Sequence, residues 1–146
     1  MAEILVVIAV IGVTMGVAIP SLWTYFRSSA MRAGAEQTVV ILNNARQLAI
    51  RLNNTVCVTY DATGFQYHQG TCAAAAYTGP GTDTAGYMYL PTGLSVSGTN
   101  NLCFGYLGAG VATAPCVNNG TLTVTRSGGG TINVTMATTG RVRIGP

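Results

Sequence analysis

Few side chains in this 146-residue sequence have the chemistry of a reactive or ligand-binding site. Four are cysteines (Cys57, Cys72, Cys103, Cys116), one is a histidine (His68), and four are carboxylates (Glu3, Glu36, Asp61, Asp83). The cysteines include no C-x-x-C pair, the spacing of common zinc and thioredoxin-like motifs, so neither a metal nor any other cofactor is expected. Four cysteines allow three pairings. Cys57–Cys72 and Cys103–Cys116 are favoured because each closes a local loop, and such a bridge stabilises by on the order of 3 kcal/mol. Disulfides place this part of the chain in an oxidising compartment, periplasmic or extracellular; the competing reading is a reduced, buried set. His68 falls on a predicted strand and reads as a hairpin side chain rather than a base. The carboxylates form no local pair for acid–base work, although folding together of Asp61 and Asp83 would make one. Ser127-Gly-Gly-Gly130 lacks the Lys and the helix of a phosphate loop and reads as a hairpin turn. No enzyme is expected.

The cations point elsewhere. All seven are arginines, and three of them fall in the last 21 residues: Arg126, Arg141 and Arg143. In Gly140-Arg141-Val142-Arg143-Ile144-Gly145, strand alternation puts Arg141 and Arg143 on one face, about 7 Å apart. That spacing suits two adjacent phosphates, to which Arg bonds in bidentate fashion. DNA binding through Arg141 and Arg143, with support from Arg126, is one reading. The other is that these arginines solubilise an edge strand.

The elements that must carry these residues follow from the charge pattern. Charged residues are 8% of the chain, against roughly 25% in an ordinary soluble domain. This excludes a charge-rich disordered protein and a coiled coil laced with surface ion pairs. The net charge of +3 is too small to demonstrate nucleic-acid binding as an average. Between Glu3 and Arg27 lie 23 uncharged residues, Ile4 to Phe26, mostly aliphatic. As a helix they would span about 35 Å, the thickness of a bilayer core. Trp23, Tyr25 and Phe26, followed by Arg27 and Arg32, look like a membrane–water boundary. A secretory signal peptide would begin with basic residues and end in a small-residue cleavage site, and this run does neither. Gly12, Gly16 and Pro20 recur at intervals of four; the glycines would admit a neighbouring helix, and Pro20 predicts a kink or local melting. Glu3 stands at the head of an apolar helix. It is either solvated there and favoured by the helix dipole, or paired with a positive group such as another subunit's N-terminal amine.

The run Glu3-Ile-Leu-Val-Val-Ile-Ala-Val-Ile-Gly12, with Ala18-Ile-Pro20-Ser21 after it, resembles the N-terminal signature of type IV pilins and type II secretion pseudopilins. The match covers about the first 25 residues. It implies that the helix anchors the subunit in the inner membrane with a periplasmic head, then becomes the core of an extracellular pilus or periplasmic pseudopilus. It also implies partners: other copies of the chain or other pilins, a prepilin peptidase, and an assembly platform. Glu3, Gly12, Gly16 and Pro20 become assembly residues on this reading. The chain departs from the pattern ahead of Glu3, where only Met1 and Ala2 stand; a shortened or altered start, or an uncertain gene start, is expected. Asn44 to Asn53 (Asn-Ala-Arg-Gln-Leu-Ala-Ile-Arg-Leu-Asn) resembles the end of this helix in the GspH/FimT-type branch. Gly140-Arg141-Val142-Arg143 resembles the G-R-x-R element of FimT-type minor pilins, which bind DNA during natural transformation.

From Ser21 to Leu52 the helical period continues in amphipathic form. Leu22, Phe26, Ala30, Ala33, Ile41, Ala45, Leu48 and Leu52 make a predicted apolar stripe, and Asn53-Asn54 ends it. The pattern then changes to strands. Val56, Val58 and Tyr60 alternate into a turn at Asp61–Gly64, and Phe65 and Tyr67 return as a hairpin. Residues 73–101 read as a long loop with one short strand at Tyr87–Leu90. Leu122 and Val124 pair with Ile132, Val134 and Met136 in a second hairpin, and a last strand runs through Val142 and Ile144. The expected fold is α+β and pilin-like: a long N-terminal helix, apolar then amphipathic, packed on an antiparallel sheet with disulfide-stapled loops. Its parts are the apolar helix 1–26, the amphipathic half 27–53 and the β-rich head 54–146, with 27–146 folding as one domain. Three functions compete: a structural subunit that polymerises, a minor pilin that binds DNA, and a membrane-anchored periplasmic binding domain that does not polymerise.

Overall fold

A computed structural model describes residues 2–61 and 64–145, apart from the side chains at 2, 17, 18, 20, 21 and 24. Helix α1 spans Ala2–Leu52. Strands follow at β1 (Val56–Tyr60), β2 (Phe65–Gln69), β3 (Tyr87–Met88), β4 (Leu94–Gly98), β5 (Leu102–Phe104), β6 (Gly120–Arg126), β7 (Thr131–Met136) and β8 (Val142–Gly145). The chain divides into two compact units, Met1–Ala30 and Met31–Pro146.

In the first unit α1 is continuous through Gly12, Gly16 and Pro20, so the local melting expected at Pro20 does not occur. Proline removes a single backbone donor, and the flanking i→i−4 bonds carry the helix past it. Among the described residues of Ile4–Phe26 the large apolar side chains are all exposed, from 46% at Ile11 to 72% at Val13. Leu22 and Phe26, assigned to the buried stripe by periodicity, are exposed at 50% and 62%. A helix that is apolar all round requires an apolar environment or partner to cover it.

The second unit holds the core. Its stripe on α1 is Ala35, Thr38, Ile41, Leu42, Ala45, Leu48 and Ala49, all buried; the predicted Ile41, Ala45 and Leu48 lie on it, whereas the predicted Ala33 is exposed. Gly34 packs closely on β4: a Cβ there would run into the end of the Leu94 side chain. Thr38 sits in the core because its hydroxyl donates to the Gly34 carbonyl at 2.9 Å, which removes the penalty of an unpaired buried hydroxyl. The Tyr67 phenol donates to the Ile41 carbonyl at 2.6 Å, tying β2 to the helix. Asn53 ends α1 in the left-handed conformation at φ 47°, the C′ geometry that Asn tolerates.

Two antiparallel four-stranded sheets replace the single sheet expected, with orders β3-β2-β1-β5 and β4-β6-β7-β8. Both predicted hairpins are present: β1 and β2 pair from Val56↔Gln69 to Tyr60↔Phe65, and β6 and β7 from Gly120↔Met136 to Thr125↔Thr131. The stretch read as a long loop contains β4, which joins the second sheet through Leu94↔Arg126 to Gly98↔Leu122. The alternation of Leu94 and Val96 with serines was too short to stand out from its Gly- and Thr-rich surroundings. Val56, Val58, Phe65, Tyr67, Leu102 and Phe104 of the first sheet share one core with Leu122, Val124, Val134 and Met136 of the second. Burial of each large side chain there contributes about 1.5–3 kcal/mol.

Candidate functional site

Three groupings of the sequence-predicted residues can be placed. The first is the start of α1. Glu3 is in its first turn and exposed, as a carboxylate at a helix N-terminus should be. An added Cβ at Gly12 or Gly16 would meet nothing within 4 Å, so both leave open space beside the helix. The side chain of Pro20 lies outside the described residues. Ile19, Leu22, Trp23 and Phe26 line one apolar depression. Among the described residues, no helix is long and apolar enough to cross a membrane.

The second grouping is the C-terminal strand. β8 is the edge of its sheet, paired to β7 from Met136↔Val142 to Asn133↔Gly145. A tight turn delivers it: Gly140 N–H donates to the Ala137 carbonyl at 2.8 Å, and Ala137 N–H to the Arg141 carbonyl at 2.9 Å. Gly140 adopts φ 75°, and a Cβ on it would overlap the Gly108 carbonyl oxygen. Only glycine meets both demands. The turn leaves Arg141 and Arg143 exposed on the rim of one depression of about 450 Å³, lined also by Thr135, Met136, Ala137 and Thr139. Arg126 does not join them. Arg143 is level with Thr135, and Thr135 with Thr121, five residues from Arg126 along β6, or about 17 Å. Arg126 also has the strand parity of the core residues Leu122 and Val124, whereas Arg143 shares the outer face with Thr121.

The third grouping lies on the first sheet. Cys57 is joined to Cys72 and Cys103 to Cys116. Cys57 pairs across strands with both His68 and Cys103, so all three occupy the face opposite the core-facing Val56 and Val58. The disulfides hold the segments around Cys72 and Cys116 over that face, which buries Cys57, Cys103 and His68. His68 is engaged at both ring nitrogens, Nδ1 with the Ala74 carbonyl at 2.7 Å and Nε2 with the Thr59 hydroxyl at 2.9 Å. Its position is that of a structural clamp between hairpin and loop.

Asp61 and Asp83 serve turns. The Tyr87 phenol donates to Asp61 at 2.9 Å and the Tyr89 phenol to Asp83 at 2.5 Å, with the two rings stacked 6.0 Å apart. Asp83 also accepts the N–H groups of Tyr87 at 2.7 Å and Ala85 at 2.9 Å. The Tyr89 hydroxyl and then the Tyr87 N–H hold the Asp83 carboxyl below the usual carboxylate range. The same bonds push both phenols up, each through its own carboxylate. The sequence raised the approach of Asp61 and Asp83 but not their tyrosine partners, for which the one signal is the alternation of Tyr87 and Tyr89 close to Asp83.

No protein-family model and no curated protein matches the chain. Two solved structures resemble it, both crystal structures of the type IV minor pilin FimU of Pseudomonas aeruginosa. The form in space group P21 superposes with a TM-score of 0.60 over 84% of this chain and 92% of FimU, at 17% identity. The form in space group P65 gives 0.54 over 79% and 92%, at 16% identity. With its N-terminal helix, antiparallel sheets and two disulfides, the chain has an α+β pilin-like fold.

Proposed function

We propose that the chain is a structural, pilin-like subunit that polymerises through its apolar N-terminal helix into a type IV pilus or a type II secretion pseudopilus. The exposed apolar surface of Ile4–Phe26, on a chain whose fold is that of a minor pilin, carries this reading. Packing those side chains against other copies or other pilins removes them from water, and the open sides of Gly12 and Gly16 admit close helix approach. Before assembly the same surface is covered by the inner membrane, with the head in the periplasm; afterwards the subunit lies in an extracellular pilus or a periplasmic pseudopilus. A prepilin peptidase and an assembly platform act on it in this scheme. Glu3 pairs with a positive group of the neighbouring subunit, so Glu3→Ala is expected to cut filament yield at least about tenfold, the equivalent of 1.4 kcal/mol per contact. Filaments are counted by electron microscopy, and the head is checked by circular dichroism. Normal yield from a folded Glu3→Ala chain would refute the pairing, and no filaments from the wild type would favour the anchored, non-polymerising domain.

A second reading rests on Arg141 and Arg143 sharing one depression on an exposed edge strand. In it the subunit is a minor pilin of the GspH/FimT-type branch that takes two adjacent DNA phosphates there. Arg141→Ala with Arg143→Ala should weaken DNA binding by the full chain and lower the slope of log affinity against log salt by about 2. An unchanged slope would leave the arginines as solubilising residues of an edge strand.

A further inference from the structure

The four sulfurs that the sequence spreads from position 57 to 116 form a single group. Cys57 and Cys103 face each other across the β1–β5 pairing and are fully buried. Cys72 and Cys116 reach them from the covering segments and are half-buried. All four Sγ atoms lie within 4.8 Å of one another, and Cys72 Sγ stands 3.5 Å from Cys103 Sγ and 3.9 Å from Cys116 Sγ. A tetrahedral ion with metal–sulfur bonds of about 2.3 Å holds its sulfurs about 3.8 Å apart. Two of the separations between the bridges, 3.5 and 3.9 Å, therefore already match those around an ion, and the rest lie within 4.8 Å. The two bonded pairs have to open to the same spacing.

We infer that the thiol form of this chain is a one-ion tetrathiolate site for a zinc-class divalent cation, and that the two disulfides are the metal-free, oxidised state of the same four residues. Two ligands sit in register on paired strands, which fixes their spacing before any ion arrives. The other two are on the outer side and give an ion its way in. His68 shares the face but has both nitrogens engaged, so the ligand set remains four sulfurs. Newly made chain carries four thiols. Binding of M²⁺ releases their four protons and forms four metal–sulfur bonds. Two equivalents of a small disulfide oxidant then take four electrons from the thiolates. The oxidant's two S–S bonds break, its thiolates take up four protons, and the ion is released as Cys57–Cys72 and Cys103–Cys116 form.

The full chain, held in detergent and reduced with a phosphine under anaerobic conditions, is titrated with Co²⁺ as the probe. The expected result is one Co²⁺ per chain with the intense visible bands of tetrahedral thiolate coordination, stoichiometric displacement by Zn²⁺, and a near-ultraviolet dichroism like that of the oxidised chain. Cys72→Ser and Cys116→Ser should each weaken binding on the order of a hundredfold. Added oxidised glutathione should expel the ion and restore both disulfides. Pale octahedral cobalt, binding no tighter than in a chain with all four cysteines changed to serine, or tetrathiolate bands only when the tertiary dichroism is lost would each overturn the site.

Discussion

Gly140 shows how much of the C-terminal strand depends on one residue without a side chain. It holds φ 75° with its α-carbon against the Gly108 carbonyl, and the turn it closes launches Arg141 along the edge of the sheet. Alanine at 140 meets left-handed strain and a backbone overlap together, so Gly140→Ala should destabilise the folded head by about 2 kcal/mol or more. Chemical denaturation of the variant beside the wild type measures the loss; a difference within about 0.5 kcal/mol would mean that the turn adapts freely. The glycine of the Gly-Arg-Val-Arg element is visible in the sequence, and so is the shared face of Arg141 and Arg143. What could not be read is its reason, because Gly108 lies 32 positions earlier. The same limit applied to Arg126, whose charge is plain in the sequence but whose strand parity and distance depend on register.

Among the elements, the segment from Gly79 to Tyr89 is fastened by polar contacts more than by burial. Asp83 accepts the Tyr89 hydroxyl and two backbone N–H groups, so its carboxyl is depressed in the folded chain. The sign follows: the stabilisation is present above the ordinary carboxylate range and disappears as pH falls through the folded value. Acidification should therefore lower the protection factors of the Ala85 and Tyr87 amides, taken relative to the intrinsic exchange rate at each pH, before the hairpins open, and Asp83→Asn should remove that pH dependence. Equal protection of both amides across the acid range would contradict it. β4 was missed for a related reason. A strand of five residues with only Leu94 and Val96 as apolar markers has little periodic signal, and its pairing with β6 supplies what the local sequence lacks. Conversely, the β1–β2 and β6–β7 hairpins were legible because alternation and turn residues are local properties.

On the scale of the molecule, one core couples α1 to both sheets of the head. Leu42 is fully buried within it, so Leu42→Ala should cost about 2–5 kcal/mol. Because the core is shared, far- and near-ultraviolet signals should move together to a lower Tm; separate shifts would show that the sheets melt independently. The apolar helix makes the opposite demand. Its described large apolar side chains are exposed and outside this core, so on the proposed assembly reading filament yield, rather than the stability of the head, is the measurement for Glu3.

The sequence by itself determined the long N-terminal helix, its change from apolar to amphipathic, the two hairpins and the α+β class. Each rests on a period or a charge gap among residues close in the chain. Tertiary structure alone decided that there are two sheets, that the buried stripe through Ile41, Ala45 and Leu48 continues to Ala35 and leaves Ala33 exposed, and that Tyr87 and Tyr89 meet Asp61 and Asp83. It also gathered four sulfurs with no C-x-x-C spacing into one cluster. The first strand is legible from Val56 and Val58, but β5 (Leu102–Phe104) is not, and nothing local says that the two are partners. That depends on the β1–β5 register, set by packing Val56, Val58, Leu102 and Phe104 into a common core.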